Sequence, residues 1–286
     1  MTLRLEPPED GDLAAWWRLA LGARAAGLRP DQVIWQAPET ADLFAAPVTV
    51  VPSPLLPSPV APDEALIPLS EAATHLIETV VLHSSETRFA LAYRLLDRLA
   101  ARPALIGNPA DPDIRRAQGL AKAVHRDMHK MKAFVRFRSV ATPQGERFIA
   151  WFEPDHHILE ATAPFFRRRF AAMHWAILTP RKSAFWDGKT LSFGLGARRE
   201  DAPTEDAMET AWTAYYAAIF NPARLKPDAM RAEMPKKYWR NLPEAKLIPG
   251  LIETAAARTG EMIASGPTTP NRRIVPYQPQ TKTRPS

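Results

Sequence analysis

Residues 133–152, AFVRFRSVATPQGERFIAWF, decide the fold of this chain because they hold two apolar runs separated by a turn signal. Apolar and Arg side chains alternate over residues 133–138, and a second largely apolar run follows over residues 147–152. Such alternation is typical of half-buried β-strands, and the Pro-Gln-Gly at residues 143–145 is typical of a tight turn. The stretch therefore predicts a β-hairpin.

The sequence that follows predicts a helix and then a second hairpin. Residues 157–172 have helical apolar spacing, with a kink or restart expected near Pro164. Residues 174–178 form an apolar run, and residues 185–191 hold an Asp-Gly pair, which favours a hairpin turn. We predict an α+β fold with a mostly antiparallel sheet, built from two hairpins around a helix and flanked by N- and C-terminal helices.

Helical patterns occupy most of the remaining chain. Asp12 is placed to cap a helix over residues 12–28, and an apolar run at residues 33–35 predicts a short strand. Further helices are predicted by five patterns of spacing and start signals: two within residues 70–101, beginning near Ser70 and Thr87, and one each at residues 113–130, 204–220 and 247–263.

Proline density suggests where the chain divides. Six prolines within residues 46–62 exclude a helix there and indicate a linker or extended wrap. We predict an N-terminal helix and strand arm with its Pro-rich linker at residues 1–62, an α+β core with helical flanks at residues 63–265, and a disordered tail at residues 266–286.

Composition excludes several classes of protein. Of 286 residues, 46% are hydrophobic and 24% charged, as in ordinary globular proteins. With no Cys, the chain has no disulfide, no thiolate zinc site and no cysteine-ligated iron–sulfur cluster. The acidic N-terminus lacks a signal-peptide pattern, and no apolar run is long enough to span a membrane. We expect a cytoplasmic, nucleoid-associated protein without a membrane partner.

Positive charge is concentrated in one segment. The formal net charge of the chain is +6, but residues 1–114 hold 8 Lys/Arg and 15 Asp/Glu, whereas residues 115–199 hold 17 and 6. A local excess of Lys and Arg is typical of a surface that faces a polyanion, although a basic surface without a nucleic-acid partner is also consistent with it. The DNA-binding candidates are Arg126, Lys130, Lys132, Arg136, Arg138, Arg167, Arg168, Arg169 and Lys182.

Candidates for catalysis are few. His125 and His129 share a helix face at spacing i, i+4, but no third ligand accompanies them, so we predict no metal site. Glu153 and His156 belong to an acid–His cluster that could serve acid–base chemistry, with His129 as a further candidate. The chain has no phosphate-binding Gly-rich loop, G-x-S-x-G elbow or zinc-deaminase motif.

Residues 126–138, RDMHKMKAFVRFR, resemble the signature of a bacterial DNA-repair family of unknown biochemistry. Members are typically encoded beside a radical-SAM protein related to spore photoproduct lyase, and some relatives carry the same region fused to a uracil-DNA-glycosylase-like domain. Further matches occur at residues 150–156 (AWFEPDH), 186–188 (WDG), 219–224 (IFNPAR) and 234–244 (MPKKYWRNLPE).

The resemblance implies a DNA-repair role with a radical-SAM protein as partner. Because the chain lacks Cys, the iron–sulfur cluster and S-adenosylmethionine are expected only in that partner, and no cofactor is expected here. We predict a DNA-binding accessory protein that is itself non-catalytic. Two alternatives remain open, namely a scaffold that binds only the radical-SAM protein, and a lesion-processing nuclease or lyase that uses Glu153 and His156.

Overall fold

The computed structural model describes residues 3–36, 49–50, 69–142 and 145–203, and, further along the chain, 236–239, 242, 245, 247–254 and 264. The chain divides into two units, Met1–Ala207 and Met208–Ser286. Both predicted boundaries of the α+β core, near residues 62 and 265, lie outside the described residues, as do the helix predicted at residues 204–220 and the predicted tail.

Three helices of the first unit form where capping signals predict them. They are α1 (Leu13–Ala25), α2 (Glu71–Val81) and α3 (Arg88–Ala101). Asp12 accepts a hydrogen bond from the backbone N–H of Ala15, and Ser70 accepts one from that of Ala73. These side chains satisfy amide groups that the first turn of a helix leaves without partners.

A small parallel sheet packs with these helices. Its strands are β1 (Leu3–Leu5), β2 (Val33–Trp35) and β3 (Thr49–Val50), in the order β2-β1-β3. Only β2 was predicted from the sequence. Aromatic side chains join the sheet to the helices in one core, with the rings of Trp16 and Trp35 stacked at 6.5 Å and that of Tyr93 edge-on to Trp35 at 5.8 Å.

The long basic helix α4 (Pro112–Phe134) extends further than predicted. It begins at the N-cap Asp111 and continues through residues 133 and 134, which the sequence analysis placed in a strand. That part of the strand prediction is wrong because Val124, Met131 and Val135 continue the helical spacing of buried positions. Arg136 therefore precedes the first strand of the hairpin and does not share a strand face with Arg138.

A five-stranded sheet forms the rest of the first unit. Its strands are β4 (Arg138–Thr142), β5 (Gly145–Trp151), β6 (Trp175–Leu178), β7 (Lys182–Trp186) and β8 (Leu191–Leu195), in the order β4-β5-β6-β7-β8. All pairs are antiparallel except β5 and β6, which the helix α5 (Leu159–Arg169) connects in parallel. The predicted α+β class and the predominance of antiparallel pairs are confirmed.

Two details of the sheet differ from the prediction. The Asp-Gly turn joins β7 to an additional edge strand, β8, while β6 and β7 form the preceding hairpin. At this turn Asp187 accepts hydrogen bonds from two backbone N–H groups, and Gly188 has a φ of 87°, which a residue without Cβ adopts readily. Helix α5 runs through Pro164 without a restart.

Two short helices represent the described part of the second unit. They are α6 (Lys236–Trp239) and α7 (Ile248–Glu253), and their buried residues include Tyr238, Ile248 and Leu251. Helix α7 lies within the range predicted to be helical, residues 247–263. Among the helices that the structure describes, none combines the length and the apolar character needed to cross a membrane.

Candidate functional site

Helix α4 presents an exposed cationic ridge. Arg115, Lys122 and Arg126 are exposed and fall within an arc of about 40° on the helix. At 1.5 Å per residue the ridge is about 17 Å long. Its amphipathic spacing has a clear cause, since the opposite face carries the buried Ala117, Ala121, Val124 and Met131.

The last turn of α5 adds three exposed guanidinium groups, those of Arg167, Arg168 and Arg169. Cationic side chains at this end of a helix are favoured by the helix dipole. The ammonium group of Lys132, on the last turn of α4, lies 5.3 Å from the centre of the Phe165 ring. This contact places the C-terminal ends of α4 and α5 side by side. We name the combined set the basic face: Arg115, Lys122, Arg126, Lys130, Lys132, Arg167, Arg168 and Arg169.

The charges of the basic face are not neutralised by carboxylates. Within the part of the chain that the structure describes, none of these eight side chains forms an ion pair with Asp or Glu. Several arginines elsewhere in the first unit are paired, among them Arg94 with Asp113 at 2.9 Å and Arg98 with Asp111 at 2.5 Å. The basic face therefore retains a surplus of exposed positive charge.

Three predicted DNA-binding residues lie in different surroundings. The Arg136 guanidinium donates to the carbonyl of Ala133 at 2.7 Å, which satisfies the end of α4, and that of Arg138 donates to the carbonyl of Pro203 at 2.6 Å. Lys182 is half-buried and hydrogen-bonded to Glu160. These side chains fix backbone or pair with acids, and they are not members of the basic face.

Asp127, the neighbour of Arg126, is buried, whereas Arg126 is exposed. Its Oδ2 accepts hydrogen bonds from the backbone N–H groups of Asp155 and His156, at 2.8 and 2.9 Å. The carboxylate thereby fastens the loop after β5 to the middle of α4. Two adjacent residues of one motif thus have separate roles, one exposed and cationic and the other a buried tie between elements.

A second tie joins the loop after β5 to the segment before α3. Nδ1 of His156 is 3.0 Å from the hydroxyl of Ser84, and its ring centre is 4.2 Å from that of His83. One residue further on, the backbone N–H of His157 donates to the carbonyl of Leu82 at 2.9 Å. His156 is therefore held at a fixed position at the side of a cleft.

The cleft has a volume of about 530 Å³. Its lining combines acids, bases and apolar groups: Glu9, Asp10, Gly11, Pro154, His156, His157, Ile158, Leu159, Glu160, Thr179, Arg181, Lys182, Phe193, Gly194 and Leu195. Its walls come from the chain before α1, the start of α5 and the strands β7 and β8. Clefts of this size and mixed character are typical of binding sites for small organic groups.

Charged side chains and His157 are joined by hydrogen bonds along one wall of the cleft. Arg88, which is only 8% exposed, donates to Asp10 at 2.5 Å, and Arg181 lies 3.0 Å from Nδ1 of His157. Burial lowers the pKa of His157 to about 4, and the nearby Arg88 and Arg181 act in the same direction while Asp10 opposes them. His157 is consequently neutral at pH 7 and can accept a hydrogen bond from Arg181.

The three catalytic candidates occupy different environments. Glu153 accepts a hydrogen bond from the indole N–H of Trp151 at 2.8 Å, His156 faces Ser84, and His129 is exposed on α4. His125 is stacked on His75 of α2 at 5.4 Å. No group of three or more His, Cys, Asp or Glu that could hold a metal ion occurs among the residues that the structure describes.

Sequence reasoning missed Asp10 and Phe193, which line the cleft, and also Ser84 and Arg88, which hydrogen-bond to lining residues. Asp10 and Arg88 are separated by 78 residues, and Ser84 and His156 by 72, so no local motif connects them. The partial burial of a charged residue at a helix start, as for Arg88, has no signature in a single sequence.

The first unit is thus an α+β structure with an unneutralised basic face and a mixed polar and apolar cleft. A family model described as a domain of unknown function, DUF4130, matches residues 86–244, more than half of the chain. The chain belongs to the DUF4130 family. No curated protein and no solved structure matches it.

Proposed function

We propose that this protein binds DNA through the basic face and works as a non-catalytic accessory of a radical-SAM repair enzyme. The observation that carries the DNA-binding part is the surplus of exposed, unneutralised cations on α4 and α5. Release of condensed counterions from DNA by Lys and Arg is the main source of sequence-independent affinity.

The arrangement of the basic face suits a phosphate backbone. Its ridge on α4 is about 17 Å long, a length over which duplex DNA carries on the order of ten phosphate charges. Five of its eight cations are arginines, whose planar guanidinium groups can donate two hydrogen bonds to one phosphate.

Charge neutralisation tests the assignment. The triple variant Arg167→Gln, Arg168→Gln, Arg169→Gln removes three exposed cations of the basic face. The matched control Arg18→Gln, Arg29→Gln, Arg102→Gln removes three exposed arginines of residues 1–114 and changes the net charge equally. Fluorescence anisotropy with a labelled duplex and a labelled single strand should show binding weakened more than tenfold by the first triple and little by the second. Equal effects of both triples would contradict the assignment.

The proposed partner rests on the family resemblance and on the absence of Cys. Because no cysteine can ligate a cluster here, the iron–sulfur cluster and S-adenosylmethionine would belong to the other protein. Size-exclusion chromatography with light scattering, on the full chain mixed with the radical-SAM protein that the family resemblance implies as its partner, should show a joint peak. If the two proteins elute separately at micromolar concentration, with and without DNA, the accessory role is wrong.

The same measurements separate the two alternatives. A joint peak without any DNA binding would favour the scaffold that holds only the radical-SAM protein. Processing of a lesion by this chain alone, lost in Glu153→Gln or His156→Ala while folding is retained, would favour the nuclease or lyase.

A further inference from the structure

The cleft differs from the basic face in its charge. Three carboxylates line it, those of Glu9, Asp10 and Glu160, against the two cations Arg181 and Lys182. Lys182 is already paired with Glu160, and its ammonium is 3.8 Å from Glu9. Asp10 is in turn paired with Arg88, so the charges at the cleft balance and it offers no surplus of positive charge to a phosphate. The cleft is therefore suited to an uncharged group that carries both hydrogen-bond donors and acceptors.

One wall of the cleft is apolar and accessible. Phe193 is 38% exposed and Leu195 is 92% exposed, both on the edge strand β8, while Ile158 and Leu159 form the buried base of α5. An aromatic ring left partly exposed beside a cleft provides a flat surface for stacking. Phe185 on β7 is similarly exposed, at 40%, but it lies on the opposite face of the sheet and does not line the cleft.

The cleft is connected to the basic face through α4. Asp127 follows Arg126 directly and accepts the backbone N–H of His156, and His156 lines the cleft. The basic face and the cleft thus share the helix α4, whose Asp127 contacts a residue that lines the cleft. Arg181, an exposed residue that lines the cleft, contacts His157 through one guanidinium nitrogen and has further N–H groups that can donate to a base edge.

We propose that the cleft receives one unpaired nucleobase of the DNA that the basic face holds. This inference rests on the proposed function and deepens it. A nucleobase is neutral and flat, so it can stack on Phe193, and its edge offers donors to Asp10 and Glu9 and acceptors to Arg181. The volume of about 530 Å³ accommodates a nucleoside.

Phe193 provides the sharpest test because the neighbouring strand offers a matched control. Phe193→Ala removes the stacking surface, Phe193→Trp retains one, and Phe185→Ala removes an equally exposed ring outside the cleft. Two labelled duplexes serve as probes, identical except that one carries a single-base bulge at its centre. Anisotropy gives the dissociation constant of each duplex for each full-length protein.

The unmodified protein should prefer the bulged duplex by about tenfold, as expected for one stacked base. Phe193→Ala should lose that preference with unchanged affinity for the paired duplex, and Phe193→Trp and Phe185→Ala should keep it. Equal affinity of the unmodified protein for both duplexes would overturn this inference and leave the proposed function intact. Failure to bind either duplex would overturn both. Loss of the preference in Phe185→Ala as well would assign it to the sheet as a whole and also overturn the cleft assignment.

Discussion

The arginines of the first unit fall into two groups that composition does not distinguish. In α3, Arg94 and Arg98 are held by Asp113 and Asp111 at the start of α4, and Arg24 of α1 is held by Asp97 at 2.8 Å. On the basic face, by contrast, eight cations of α4 and α5 have no carboxylate partner within the described part of the chain. Arginine thus joins helices in one region and remains open to an external anion in the other.

The surface potential therefore depends on how many Lys and Arg side chains are paired with carboxylates, as well as on how many there are. The three arginines of α3, at positions 88, 94 and 98, suggest a cationic stripe in the sequence, but each of them is paired with an aspartate. Hydrogen bonds from Arg98 and Arg94 lower the pKa of Asp111 and Asp113 respectively, which keeps both acids ionised. These ion pairs stabilise the folded chain, and their arginines add little to the attraction of an external polyanion.

The largest change in the free energy of unfolding should come from substituting Asp127, the buried neighbour of Arg126. Asp127→Ala should lower the free energy of unfolding by about 3 kcal/mol, because it leaves two backbone N–H groups of the loop after β5 without their buried acceptor. Urea denaturation followed by circular dichroism measures this loss. A loss below about 0.5 kcal/mol would mean that Asp127 does not hold the loop.

The second-largest effect should be a loss of stability around His157 when the pH is lowered. The pKa of His157 in the folded protein, about 4, lies below its ordinary value of 6.5, so the unfolded chain takes up the proton first as the pH falls. The stabilisation is complete above pH 6.5 and is lost between pH 6.5 and 4. Asp10, Arg88, Arg181 and His156 surround the imidazole.

Unfolding measured at pH 7 and pH 5 should therefore show a melting temperature that drops by several degrees in the unmodified protein. The drop should be smaller in His157→Gln, whose side chain does not titrate. An equal drop in both proteins would assign the pH dependence to other groups.

A smaller effect is expected for the exposed member of the Arg126–Asp127 pair. Arg126→Gln should leave the free energy of unfolding unchanged and weaken DNA binding about fivefold, the contribution of roughly one phosphate contact. Anisotropy and urea denaturation on the same preparation measure both quantities. A stability loss as large as that of Asp127→Ala would erase the distinction between the two residues.

The smallest effect should come from the paired arginines. The double variant Arg94→Gln, Arg98→Gln should lower the free energy of unfolding by only about 1 kcal/mol, because partly exposed ion pairs are weak, and should leave DNA affinity unchanged. A tenfold loss of DNA affinity would show that α3 belongs to the interface and would break the comparison between the two regions.

The helices and their starts were predictable because their signals are local. Asp12 and Ser70 stand directly before apolar runs with helical spacing, and both side chains cap as expected. The end of α4 was not predictable. Residues 133–138 fit a period of two as well as a helical period, and only packing against the buried face of the helix decides between them. Strands β1 and β3 span three and two residues, too few for any period to be visible.

The candidate site was predictable only in part. Cations of α4 and α5 are consecutive or regularly spaced, so their residue types are evident, but nothing local separates the exposed Arg167 from Arg138, which donates to a carbonyl 65 residues away. The cleft depends entirely on long-range neighbours such as Arg88 with Asp10 and His156 with Ser84. Its existence follows from the topology and not from a motif.

The salt dependence of DNA binding tests the central claim most directly. For the unmodified protein, a plot of log Kobs against log salt concentration should be linear with a slope of about −4 to −6, as expected when roughly five or six phosphates are neutralised. The triple variant Arg167→Gln, Arg168→Gln, Arg169→Gln should reduce that slope by about 3, and the Arg18, Arg29 and Arg102 control should not. A slope near zero, or the same slope in all three proteins, would contradict the assignment of the basic face as the DNA-binding surface.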